Sequence, residues 1–212
     1  MNRNEKMEAS LLSPFSINAL TIGILPGHLF TLFCNDLLRA EASRIRLPQR
    51  LIDDTVRETA PDGGVDLLIG EPNIEDQPSS WGEWVPEGVS AWQYKSGKCP
   101  PAKELAGGEF QKWKVREAIS RGEPYCFLTA DSINPAKAGR IEEALREIYR
   151  TYGQEPRVRV YGATKLVEWA KQHLGVPVQH LGVPVTGWLP FDQWEQATTH
   201  ATSSSQTNKE AT

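Results

Sequence analysis

Pro61-Asp62-Gly63-Gly64-Val65-Asp66-Leu67-Leu68-Ile69-Gly70, then an acidic loop, then Val89-Ser90-Ala91-Trp92-Gln93-Tyr94-Lys95-Ser96-Gly97, is the stretch that decides how this chain folds. The first run is apolar and bounded by glycines. In the second, Ser90, Trp92 and Tyr94 alternate with Ala91, Gln93 and Lys95. Both read as strands, and Gln93 and Lys95 share a face. Paired as a hairpin, they bring Asp66 near Gln93 and Lys95, so that a carboxylate, an amide oxygen and an ammonium converge.

Burying an isolated carboxylate or ammonium costs several kcal/mol unless it is paired or holds a metal. A salt bridge across the hairpin is one account of Asp66 and Lys95. A hydrolytic metal site is the other. Mg²⁺ takes oxygen ligands and keeps several waters, so Asp66 with the Gln93 amide or the Tyr94 backbone carbonyl suffices to hold it against a phosphate. Mn²⁺ can substitute. Lys95 would then orient a water or neutralise charge that builds on phosphorus.

Working outward, Pro26-Gly27 marks a break, and Phe30, Phe33, Leu37 and Leu38 fall at helical spacing from His28 to about Glu41. Residues 42–60 form a mixed connection with room for a short strand. Asp62 reads as a turn former or a secondary metal ligand beside the flexible Gly63-Gly64. The long 71–88 loop carries Trp81 and Trp84, which either cover the sheet edge or stack on a base. Phe110, Trp113, Glu117 and Ile119 predict one helix from about Glu109 to Arg121. Tyr125-Cys126-Phe127-Leu128-Thr129 predicts a buried strand. Asn134 and Pro135 then open a helix with Ile141, Ala144, Leu145, Ile148 and Tyr149 on one stripe. Arg157–Tyr161 predicts a strand and Thr164–His173 a helix. Strand, helix, strand, helix favours a parallel pair with a crossover helix. His173-Leu-Gly-Val-Pro-Val178 recurs as His180-Leu-Gly-Val-Pro-Val185, read as a local duplication in a loop or extended segment. A metal on its two histidines would lack a third ligand.

The 212 residues suit one α/β domain. No apolar run is long enough to cross a bilayer, and no secretory signal is read. The three cysteines, widely spaced, argue for a reducing cytoplasm and against structural zinc. The net charge of -4 does not announce a nucleic-acid binder, but its distribution is uneven. Residues 71–87 hold five acids and no base, whereas 95–121 hold seven basic residues against three acidic. Lys98, Lys103, Lys112, Lys114 and Arg116 form a candidate phosphate-tracking surface, or an ordinary solvated helix face. From Ala197 onward the composition is that of a disordered tail or linker.

Asp62-Gly63-Gly64-Val65-Asp66, with a later strand ending Gln93-Tyr94-Lys95, resembles the PD-(D/E)XK nuclease superfamily in its Mrr-type restriction endonuclease form. There Gln often replaces the acidic residue before X-Lys. The stretch from Phe30 to Leu38 resembles the opening helix of such nucleases. Leu166-Val167-Glu168-Trp169, the Leu-Gly-Val-Pro segments and Thr186-Gly187-Trp188-Leu189-Pro190-Phe191-Asp192-Gln193-Trp194 are similar to nuclease modules ahead of a STAND-type NTPase in bacterial antiphage proteins. The resemblance covers roughly residues 27–195. It implies a restriction-endonuclease-like α/β fold, a mixed central sheet flanked by helices, after an N-terminal extension over 1–26 and before a tail over 196–212. It also implies Mg²⁺-dependent cleavage of DNA, catalytic roles for Asp66, Gln93 and Lys95, a homo-oligomer with paired sites, and an NTPase or sensor region as partner. The alternative is a catalytically weak DNA-binding or protein-interaction module. Many relatives carry a Glu after the first Phe of the opening helix, where this chain has Thr31. Asp36, a possible secondary ligand, points about 140° away from Thr31 on a helix.

Overall fold

The structure is a computed structural model that describes residues 17–54, 64–78 and 80–182. Asp62, residues 183–195 and the expected tail lie outside the described residues. Five strands form one sheet in the order β1 (Ile52–Asp53), β2 (Leu67–Ile69), β3 (Ser90–Lys95), β4 (Tyr125–Thr129) and β5 (Val158–Tyr161). β1, β2 and β3 are antiparallel neighbours. β3, β4 and β5 run parallel. The helices among the described residues are α1 (Ala19–Gly23), α2 (Gly27–Ile45), α3 (Ala102–Gln111), α4 (Trp113–Ser120), α5 (Pro135–Thr151), α6 (Ala163–Ala170) and α7 (Gly175–Leu181). The chain therefore has the expected mixed α/β sheet flanked by helices.

Side-chain alternation along the strands divides the interior in two. Leu67, Ile69, Trp92, Tyr94, Cys126 and Leu128 pack with α2 and α6. Ala91, Tyr125, Phe127, Val158 and Val160 pack with α3, α4 and α5 on the other face. Residues before the Pro26-Gly27 break take part as well: Ile22 of α1 is fully buried in the first core, and α1 lies against α6. The β4–α5–β5 unit is the expected parallel pair. Its helix begins where Asn134 accepts a hydrogen bond from the Lys137 amide at 2.8 Å, with Pro135 in the first turn.

Two expectations need correction. The single helix over 109–121 is two helices, since α3 already starts at Ala102 and the chain turns extended at Lys112, with φ -81° and ψ 126°. Gly107 and Gly108 each disfavour helix by about 1 kcal/mol, yet burial of Leu105, Ala106 and Glu109 carries α3 through them. The first copy of the repeat is helical rather than extended. Pro177 falls in the first turn of α7, where a missing N–H leaves no helical bond unmade.

The acidic loop between β2 and β3 reaches across to the β5 edge of the sheet. Tyr161 donates its hydroxyl to the Trp84 carbonyl at 2.8 Å, and Arg159 and Arg157 donate to the carbonyls of Glu83 and Glu87. Trp84 is 2% exposed and stacks on Trp169 at 5.4 Å, which removes it from any role as a base-stacking platform. Trp81 packs partly buried against the same core.

The loop also seals a charge inside. A Cβ on Gly82 would sit 2.4 Å from the Glu41 carboxylate, so only glycine lets the loop close over it. Glu41 is fully buried and accepts from Arg44 Nε at 3.0 Å and from His173 Nε2 at 2.7 Å. Burial pushes its carboxyl up, but the hydrogen bonds from His173 and Arg44 outweigh that and bring it down to about 2. A carboxylate held below its unfolded value stabilises the fold above that value and loses the contribution as pH falls. Stability should therefore drop by about 3 kcal/mol between pH 5 and pH 2 on account of this group. Urea denaturation across that range, compared with Glu41→Gln, should show the drop in the native chain and a smaller one in the variant.

Candidate active site

Asp66 immediately precedes β2 and faces the middle of β3. Its amide donates to the Trp92 carbonyl at 2.8 Å. Its carboxylate oxygen Oδ2 accepts from the Tyr94 amide at 2.6 Å and from Gln93 Nε2 at 2.5 Å. The side chain thus extends the ladder at the point where β2 has not yet begun. Gln93 Nε2 also donates to the Tyr94 carbonyl at 3.1 Å, so the Asp66 and Tyr94 oxygens converge on one small volume.

Behind Gln93 lies a polar relay that single-strand reasoning did not find. Lys112 Nζ donates to Gln93 Oε1 at 3.3 Å and to Glu109 Oε1 at 2.8 Å. The other Glu109 oxygen accepts from the Tyr125 hydroxyl at 2.7 Å. Glu109 is 5% exposed, and a buried carboxylate persists only with partners of this kind. Burial and the neighbouring Glu109 charge push the Tyr125 phenol up, which keeps it a donor. The extended backbone at Lys112 aims its side chain here, and Gly64 makes room: a Cβ there would lie 1.8 Å from Lys112 Cδ. Glu109 and Lys112 at i and i+3 were the available sequence signal, but the partner across the sheet was not.

Lys95 follows Gln93 by two residues on the same face of β3 and is exposed. Its ammonium makes no side-chain hydrogen bond or ion pair to another described residue. The chain after it is tied down, because the Cys99 amide donates to Asp131 Oδ2 at 3.0 Å and Lys137 bridges Asp131 and the Cys99 carbonyl. A Cβ on Gly27 would lie 3.3 Å from the Ser96 side chain, so the start of α2 adjoins the end of β3. Thr31, one turn into α2, donates its hydroxyl to the Gly27 carbonyl at 3.2 Å.

Asp36 belongs elsewhere. It lies nine residues beyond Gly27, about 14 Å along the helix, and bonds His180 of α7 at 2.6 Å. With His173 on Glu41, both repeat histidines take carboxylate partners between α2 and α7 rather than a shared metal. Of the basic residues, Lys112 turns into the relay instead of the surface. Lys98, Lys103 and Arg116 are exposed, and Lys114 lies 5.7 Å over the Trp113 ring, itself 54% exposed. Cys34 is buried, which pushes its thiol up and marks it as packing rather than a nucleophile.

A scan against protein-family models, a search of curated proteins and a search of solved structures each found no match. No helix among the described residues is long and apolar enough to cross a membrane. Among those residues no group of three or more His, Cys, Asp and Glu side chains is placed to hold a metal ion. The Asp66 site offers one carboxylate and the neutral Tyr94 carbonyl instead, since Gln93 turns its own oxygen to Lys112. Asp66 Oδ2 and the Tyr94 carbonyl share one donor, Gln93 Nε2, and hard oxygens gathered on one point fit Mg²⁺ or Mn²⁺ in donor type.

Gly64 and Gly88 both have positive φ, +85° and +84°, but a Cβ on Gly88 meets nothing within 4 Å. Alanine at either strains the backbone by about 1 kcal/mol or more. Gly64→Ala should cost about 1–3 kcal/mol beyond Gly88→Ala, because it also displaces Lys112 and leaves Glu109 short of a partner. Parallel urea titrations of the two variants measure that difference.

Proposed function

We propose that this chain is a Mg²⁺-dependent endonuclease that hydrolyses DNA phosphodiester bonds. The observation that carries the reading is the convergence of the Asp66 carboxylate and the Tyr94 carbonyl at the end of β3, with the exposed ammonium of Lys95, which pairs with no other described residue, next along the same face. The resemblance to PD-(D/E)XK nucleases supports it, since Asp66, Gln93 and Lys95 fall on that motif in order.

Asp66 and the Tyr94 carbonyl would hold the ion, with the Gln93 amide beside them. Mg²⁺ there would supply Lewis-acid polarisation of a phosphoryl oxygen and a more acidic bound water. Lys95 is free to approach a phosphate and offset the negative charge that grows on it during in-line attack. Lys98 and Lys103 follow on the same side of the sequence and would track the backbone, with Trp113 and Lys114 on α4 adding an aromatic and basic surface. By the same resemblance, the setting is a bacterial antiphage effector in the cytoplasm, acting as a homo-oligomer beside an NTPase or sensor region.

One observation favours a second reading. Gln93 directs an NH₂ group, which cannot ligate a cation, at Asp66, and Thr31 stands where relatives place a Glu. A DNA-binding module with little turnover would look the same. Supercoiled plasmid incubated with Mg²⁺ or Mn²⁺ separates the two. A nuclease nicks it, and Asp66→Asn and Lys95→Ala should each slow nicking by at least about a hundredfold. Asp66→Asn keeps an oxygen for the Tyr94 amide, so circular dichroism should be unchanged. DNA retention without nicking, indifferent to both substitutions, would establish the binding module instead.

A further inference from the structure

Resting on the metal reading of the Asp66 site, we infer that Lys112 is a positioning residue that latches the Gln93 amide in an orientation opposed to cation binding. The amide has one donating and one accepting end, and it lies between a carboxylate and an ammonium. Only one orientation suits both neighbours: NH₂ toward Asp66 and C=O toward Lys112. That orientation is the one seen, at 2.5 Å and 3.3 Å. The reverse sets oxygen against the carboxylate and N–H against the ammonium.

The same NH₂ group donates to the Tyr94 carbonyl, so it fills the volume between the two oxygens best placed to share an ion. To become a ligand, Gln93 must turn its oxygen inward and its NH₂ toward Lys112. Lys112 is not free to retreat. Its stem crosses Gly64, and its ammonium is fixed by Glu109, which Tyr125 holds in turn. Metal loading therefore competes with the Lys112–Gln93 hydrogen bond.

Removing the ammonium alone would also favour cations by simple charge. The decisive variant is therefore Glu109→Gln with Lys112→Met, which removes one charge of each sign. Mn²⁺ binding, measured by electron paramagnetic resonance without DNA and beside a thermal melt, should tighten on the order of tenfold in this double variant. Lys112→Arg, which keeps a cationic donor, should bind like the native chain. Adding Gln93→Leu to the double variant should abolish the gain, since the latch acts only through that amide. No tightening, or tightening that survives Gln93→Leu, overturns the inference. Gln93→Glu separates its failure from that of the metal reading. That substitution places a second carboxylate beside Asp66 and should bind Mn²⁺ if the strand ends form a cation site at all. If it binds none, the metal reading falls and the latch with it. If it binds while the double variant gains nothing, only the latch falls.

Discussion

The Asp66 carboxylate does for β3 what the Val65 carbonyl would do had β2 begun two residues earlier. It takes the Tyr94 amide at 2.6 Å and closes the ladder at the strand's open end. A carboxylate in that place differs from a carbonyl because it carries charge into a half-buried position, and the surroundings must answer that charge. Gln93 answers with its amide hydrogens, Lys112 steadies Gln93, Glu109 balances Lys112, and Tyr125 holds Glu109. Each link exists because the one before it would otherwise leave a buried polar group unmatched.

That sequence of obligations explains local features that look unrelated. The interruption between α3 and α4 falls at Lys112 because an extended residue there, unlike a helical one, reaches across to β3. Gly64 lacks a side chain because the Lys112 stem occupies the space. Glu109 tolerates burial in a helix face otherwise made of Leu105 and Ala106 because its two oxygens have separate donors.

Much of the scaffold was legible in the sequence. Period-two alternation in Ser90–Lys95 and the long stripe of α5 report directly which side chains are inward, and local patterning is what sequence preserves best. The hairpin and the parallel β4–β5 pair follow from them. The relay was not legible, because it joins Asp66, Gln93, Glu109, Lys112 and Tyr125 through three-dimensional proximity, and Lys112 alone looks like any surface base. Asp36 misled for a related reason. Helix geometry shows where it does not point, but its partner His180 is distant in sequence. The 71–88 loop was only half legible: its tryptophans read as edge cover or as a base-stacking surface, and only the fold shows Gly82 and Trp84 binding the loop into the core over Glu41 and Trp169.

The two lysines of the site divide the work by their surroundings. Lys112 is committed, with two oxygen partners and a stem packed on Gly64, and a charge so held shapes its neighbours rather than a ligand. Lys95 is exposed at the end of the strand and pairs with no other described residue. An exposed ammonium is satisfied by water, so Lys95 adds little to the stability of the fold. On the proposed reading, the anion that would pair with it is a phosphate brought to the Asp66 side of the sheet. With a net charge of -4 and an acidic loop, the chain would offer DNA little general attraction, so the proposed contact would depend on local bases such as Lys95, Lys98 and Lys103.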